Sequence, residues 1–161
     1  MNKLLLLDIN GLLCCKVPKG QGLPIKSYDV LLRPYYKEFL DWCYCHFDVG
    51  YFSSTSKTNA MLILNYLLTT EQKNKTTLFW FRDQTQPDPH GRRFDTIKSL
   101  IHIYDHFDEY HHKNTLIIDD SYHKVRFNLD QNVLLCQPYQ GQEDNELIGL
   151  MEKIVTKFNL L

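Results

Sequence analysis

Four leucines in a row, residues 4–7, followed at once by Asp8-Ile9-Asn10-Gly11, constrain this chain more than any other stretch. An unbroken apolar run of strand length has no polar face to offer water. It therefore suits a strand covered on both sides, as at the centre of a parallel sheet. The run stops on an acid, which puts a carboxylate at the carboxyl end of that strand, where open α/β sheets build their sites. Gly11 then lets the backbone turn sharply and another group come close. Taken alone, the segment equally suits a core strand closed by an ordinary Asx turn. The rest of the chain bears on the choice.

Residues 12–32 carry Pro18, Gly20, Gly22 and Pro24 between short apolar pieces and read as an irregular excursion or hairpin that starts beside Asp8. Loops at that location tend to wall a site, and residues 28–32 can return as a short strand. Pro34 fits the first turn of a helix, with Phe39, Leu40, Trp42, Cys43 and His46 at helical spacing. Residues 48–53 read as a second strand running into Ser53-Ser54-Thr55-Ser56, and residues 58–68 as a helix. Residues 77–81 read as a third strand, followed by a polar, Pro-rich loop over 83–95. A helix is expected over 95–108, a strand over 114–121 ending on Asp119-Asp120-Ser121, a last strand over 132–136 and a helix over 145–158. Strands alternating with helices imply a mainly parallel α/β sheet with right-handed crossovers. No internal repeat or linker divides the chain, so one domain over 1–161 is expected.

Composition removes several classes of function. Lys and Arg number 18 against 19 Asp and Glu, a net charge of −1, which gives no overall basic face for nucleic acid. The five cysteines contain no C-x-x-C pair, and Cys43-Tyr44-Cys45-His46 is a poor match to zinc-ligand spacing, so they read as ordinary intracellular thiols. Asp8 interrupts the apolar N-terminus and no small-residue cleavage site follows, which argues against a signal peptide. No stretch approaches the roughly 18 apolar residues that span a membrane. An intracellular protein, nuclear or cytoplasmic, is expected.

Three strand ends thus carry polar groups that can meet at one sheet edge: Asp8 with Asn10, Ser53, and Asp119 with Asp120. Lys98, on the helix expected before the strand ending in Asp119, can supply a cation. Carboxylates from two strands can hold Mg²⁺, which prefers oxygen ligands. A lysine and a hydroxyl beside them can balance the oxygens of a phosphoryl group. A strand-end aspartate can also accept that group covalently.

In this order the residues resemble the haloacid dehalogenase superfamily. Within it they resemble the FCP/SCP-like, or NLI-interacting-factor-like, phosphatases related to those acting on the RNA polymerase II C-terminal domain. That pattern is a strand with DxDxT, an R-P opening a helix with E-F-L, a strand ending in F-T or F-S, a lysine, and D-D-S or D-N-S. Here it reads Asp8-Ile9-Asn10-Gly11-Leu12, Arg33-Pro34 with Glu38-Phe39-Leu40, Phe52-Ser53, Lys98, and Asp119-Asp120-Ser121. The resemblance runs from about residue 3 to 158 and implies a three-layer, Rossmann-like sheet without a large cap domain. It implies Asp8 as a nucleophile forming an aspartyl phosphate, Ser53 bonding a phosphoryl oxygen, and Lys98 neutralising charge, since Lys113 stands too close to the acidic pair. It further implies Mg²⁺ held by Asp8, the Asn10 backbone carbonyl and Asp119-Asp120, with Asp120 the direct ligand. The implied partner is a phosphorylated protein or peptide, such as the polymerase C-terminal domain, rather than nucleic acid or membrane.

The departure is Asn10, with Leu12 a milder one where the family usually has threonine or valine. The family's second acid protonates the leaving oxygen and then activates water, and an amide can do neither. Superfamily members that lack this acid include ion-pumping ATPases, whose aspartyl phosphate must persist. Two functions remain open. One is a Mg²⁺-dependent phosphoserine phosphatase; the other is a pseudophosphatase that binds a phosphorylated or acidic segment or acts as a scaffold. Ser54, Arg82 and Arg92 are candidates for substrate contact, because guanidinium groups suit a phosphorylated peptide. His102 and His106 stand four apart on an expected helix but lack the HExxH glutamate, and read as solvated positions. Residues 79–81 read as core strand rather than a base-stacking platform.

Overall fold

The structure, a computed structural model, describes residues 2–161. Leu4–Leu7 forms β1, flanked by β5 (Asp48–Phe52) and β9 (Thr115–Asp119), with β6 (Leu78–Trp80) and β10 (Val133–Leu135) outermost. All pairings in this five-stranded sheet are parallel, and Leu7 stands opposite both Tyr51 and Ile118. The leucine run is buried on both faces because the pleat sends alternate side chains to two different cores. Leu5 and Leu7 pack with Phe39, Ile63 and Leu150 from α1 (Tyr36–His46), α2 (Lys57–Leu67) and α6 (Glu146–Leu160). Leu4 and Leu6 pack with Leu100, Ile103 and Val125 from α4 (Leu100–His106) and α5 (Tyr122–Val125). The result is three layers, helices on each face of one sheet.

The excursion after Asp8 is a three-stranded antiparallel sheet of β2 (Cys14–Val17), β4 (Asp29–Leu32) and β3 (Leu23–Pro24), in the order β2-β4-β3. Two small elements complete the chain: a helix α3 (Thr70–Lys75), closed by a Thr69–Gln72 capping box, and a short hairpin of β7 (Gln86–Pro87) with β8 (Thr96–Ile97).

The structure differs from the sequence reading in several places. The helix expected from Pro34 begins at Tyr36, because Tyr35 takes a left-handed backbone conformation (φ 65°) that breaks the helix before it. The helix expected over 95–108 is shorter. Residues 96–97 pair in the hairpin and α4 starts at Leu100, so Lys98 lies between the two and not on a helix. The reason is a tertiary clamp. The Asn128 amide donates to the Lys98 carbonyl at 2.8 Å and accepts from Leu100 N–H at 2.8 Å, and Lys98 N–H donates to the Lys124 carbonyl at 2.7 Å. Of the two histidines read as solvated, His106 is exposed as expected and His102 is half-buried. Both rings meet Trp80 edge-on, at 5.7 and 5.2 Å between centroids.

Candidate active site

The parallel sheet delivers its strand ends to one edge, and the polar residues there come together. Asp8 follows β1, Ser53 follows β5, and Asp119 closes β9 with Asp120 next. Lys98 reaches in from beside β8, fully buried, with Nζ 2.9 Å from Asp8 Oδ1 and 2.5 Å from Asp119 Oδ2. Lys113 is exposed and precedes the opposite end of β9. Asp119 Oδ1 accepts from Ser121 N–H at 2.9 Å, so both of its oxygens are engaged. Asp8 Oδ2, by contrast, is buried with no partner.

Three carboxylates meet one ammonium here, and the titration behaviour reflects it. Burial, then the charge of Asp8, pushes the Asp119 carboxyl above the usual range. Burial, then Asp8 and Asp119, lifts Asp120 to about 6. Burial works against the Lys98 ammonium, yet Asp8 and Asp119 outweigh it and hold its pKa above the ordinary lysine value. Ligand oxygens of Asp8, Asp119 and Asp120 lie within 4.8 Å of one another, the only such group of metal-compatible side chains among the described residues. Excess negative charge and an all-oxygen donor set fit a hard divalent cation such as Mg²⁺.

Gly11 makes room for this arrangement. It has φ +87°, and a Cβ there would fall 2.1 Å from Asp120 Oδ2. Gly11→Ala is expected to push the Asp120 carboxylate aside and weaken Mg²⁺ binding about 10- to 100-fold, as read by calorimetric titration. Unchanged affinity would show that Asp120 is not needed to hold the ion.

Asn10 is fixed from both ends. Its Nδ2 donates to Thr55 Oγ1 at 2.9 Å, and its Oδ1 accepts from the Cys14 thiol at 3.4 Å. Burial and then the Asp8 charge raise the Cys14 pKa far above its ordinary value, so the sulfur keeps its proton and donates. Ser53 is buried, and its Oγ accepts from Thr55 N–H at 3.2 Å. Ser54 and Arg82 line a neighbouring cavity of about 270 Å³ together with Asn10. Arg82 Nε donates to the Ser54 carbonyl at 3.0 Å.

Arg92, taken from sequence as a substrate contact, does not line that cavity. Its backbone N–H is tied to Asp95 at 2.8 Å, within a hairpin anchored by an Asp88–Arg126 pair at 2.6 Å. The sequence reading also missed what holds the site together. Arg33 is wholly buried and donates to the Gly11, Leu12 and Gln137 carbonyls and to both oxygens of Asp144. Its R-P motif was visible; partners 104 and 111 residues away were not. Asn128 and Cys14 carried no signal at all.

With the geometry described, comparison with known proteins is decisive about family. The family model for NLI interacting factor-like phosphatase matches residues 3–158. The chain belongs to this family. As an NLI interacting factor-like phosphatase it lies in the haloacid dehalogenase superfamily, in agreement with the motif order and the parallel sheet. An uncharacterized FCP1 homology domain-containing protein of Schizosaccharomyces pombe is 30% identical over 132 residues, covering 74% of this chain and 54% of that one. The chain thus spans about half the length of the curated relative it matches. Among solved structures, the fission yeast RNA polymerase II CTD phosphatase Fcp1 superposes with a TM-score of 0.62 at 15% identity, covering 99% of this chain and 49% of that one. A variant of the same phosphatase bound to beryllium fluoride gives 0.63 at 13%, with 99% and 51% covered. An uncharacterized protein from Listeria monocytogenes serotype 4b gives 0.65 at 10%, with 98% and 99% covered. At these identities the likeness to the solved structures is one of fold. No helix among the described residues is long and apolar enough to cross a membrane.

Proposed function

We propose that this domain is a Mg²⁺-dependent phosphatase acting on phosphoserine in a protein, through an aspartyl phosphate on Asp8. The observation that carries the reading is the state of Asp8. One oxygen is held by Lys98 at 2.9 Å, while the other is buried, unpartnered and available as a nucleophile. Asp8, Asp120 and the Asn10 backbone carbonyl would hold the ion, with Asp119 beside them; when bound it offsets the negative charge of the phosphoryl oxygens. Asp8 Oδ2 forms a bond to phosphorus as the bond to the serine oxygen breaks. Lys98 balances charge on the transferred group, and Ser53 donates a hydrogen bond to one of its oxygens. The departing oxygen takes its proton from water, because the Asn10 amide has none to give. A second water then attacks phosphorus as the bond to Asp8 Oδ2 breaks and passes its proton to the hydroxide left by the first, releasing phosphate and restoring the Asp8 carboxylate.

A second reading, a pseudophosphatase that holds a phosphorylated segment or serves as a scaffold, is favoured by Asn10 alone. Its amide is fixed by Thr55 and Cys14 at the position of the missing acid. The polymerase named for the Fcp1 relatives makes its phosphorylated C-terminal domain a reasonable first substrate. The test is phosphate release from phosphoserine peptides, that repeat included, with and without Mg²⁺. Release by the wild type that disappears in Asp8→Asn is the expected result. Binding without release by the wild type would favour the second reading.

A further inference from the structure

Next to the Asp8 centre lies the cavity of about 270 Å³ already noted, which shares only Asn10 with the catalytic set. Lys16 comes to its wall from β2, Arg82 from the single turn of 3₁₀ helix after β6, and Lys124 from α5. The rest of the lining is hydroxyl and amide, and no carboxylate faces the cavity. In a chain with net charge −1, three cations converging from three elements without an acid among them is a local excess of positive charge. Among the described residues none of the three forms a salt bridge, whereas Lys19, Arg33, Lys75, Lys98, Arg126 and Lys153 all do.

The three are also held for use. Lys16 Nζ rests 4.7 Å from the centre of the Tyr28 ring. Arg82 spends its Nε on the Ser54 carbonyl, which orients the guanidinium and leaves the terminal nitrogens to a ligand. Lys124 lines the cavity from α5, four residues after Asp120, and forms no ion pair among the described residues. Helix α2 starts at the same wall, with Ser56 as an N-cap lacking a side-chain bond and no acid in the first turn. The scissile phosphoryl group cannot itself be the occupant. It must meet Asp8 Oδ2, and neither Asp8, Lys98 nor Asp119 lines this cavity.

We propose that the cavity is a second oxyanion subsite, so that the preferred substrate carries another phosphate or an acidic side chain close to the scissile phosphoserine. The proposal rests on the phosphatase reading for what occupies the Asp8 centre. It adds a requirement on sequence around the phosphoserine, met by charge-assisted hydrogen bonds from Lys16, Arg82 and Lys124.

The test measures peptide affinity by fluorescence anisotropy with Mg²⁺ present, in an Asp8→Asn background so that nothing is turned over. The probes are a peptide with one phosphoserine among neutral residues, the same peptide with a second phosphoserine two to four positions away on either side, and one with glutamates there instead. A second anion is expected to tighten binding about tenfold. That ratio is expected to fall below about twofold when Lys16→Gln, Arg82→Gln and Lys124→Gln are combined, but not in Lys113→Gln, far from the cavity. The phosphate and glutamate arms tell which oxyanion is favoured. Equal affinity for all probes, a gain that survives removal of the three charges, or no binding of any probe overturns the proposal. Failure of the wild type to release phosphate overturns the catalytic reading instead, and leaves the affinity ratio standing as its own measurement.

Discussion

Asn10→Asp is expected to raise Mg²⁺-dependent phosphate release by about 10²- to 10⁴-fold, the range a positioned general acid–base group contributes. The structure makes the substitution a small one. The Cys14 thiol that donates to Asn10 Oδ1 can donate equally to a carboxylate oxygen. The Thr55 hydroxyl, now an acceptor from Nδ2 at 2.9 Å, can rotate and donate to the other. A new carboxyl would therefore sit where the amide sits, with two donors holding it. The gain should fall on kcat more than on KM, because the proton moves only as the serine oxygen leaves and again as water attacks. The variant should also show a pH dependence of kcat that the parent lacks. A rate unchanged within a few-fold would mean that another group already handles the proton and that Asn10 does not limit turnover.

Arg33→Met is expected to cost about 3 kcal/mol or more of stability, the range for removing one partner of a buried ion pair. Arg33 is 0% exposed, and its five donors knit together parts of the chain that are far apart in sequence. They reach the Gly11 and Leu12 carbonyls shortly after Asp8, the Gln137 carbonyl after β10, and Asp144 just before α6. Methionine fills the volume but leaves the Leu12 and Gln137 carbonyls without a donor and Asp144 without its counter-charge, while the Gly11 carbonyl keeps only the Tyr139 N–H. For a chain of this length the melting temperature should drop by on the order of 10 °C, and the urea midpoint should fall with an unchanged slope. Because Arg33 grips the Gly11 and Leu12 carbonyls, Mg²⁺ affinity should weaken too, at a temperature where the variant remains folded. A loss under about 1 kcal/mol would show that water replaces the guanidinium cheaply.

The elements that build the site differ in how far the sequence discloses them. Leu4–Leu7 and the apolar run ending at Asp119 are local patterns: unbroken hydrophobicity of strand length followed by an acid. Such a pattern needs no distant partner to be read, because burial on both faces is written into consecutive residues. From these runs came the parallel sheet, the strand-end carboxylates and, through the order of motifs, the family. Lys98 marks the limit. Its identity is visible, but the helix expected around it begins only at Leu100, because the Asn128 amide captures the Lys98 carbonyl and Leu100 N–H that an earlier helix start would use. Periodicity over 95–108 could not foretell a competitor 28 residues further on.

By itself, then, the sequence determined the α/β class, the strand ends that carry Asp8, Ser53, Asp119 and Asp120, and the amide of Asn10 two residues after Asp8. The tertiary structure alone decided that Lys98 bridges Asp8 and Asp119, that Asp8 keeps one oxygen free, that Arg92 stays outside the cavity beside Asn10, and that Lys16, Arg82 and Lys124 face one chamber. The physical reason is the same in each case. Strand and turn preferences act over a few neighbouring residues, whereas charge pairing and packing are set by groups tens of residues apart that meet only once the sheet has formed.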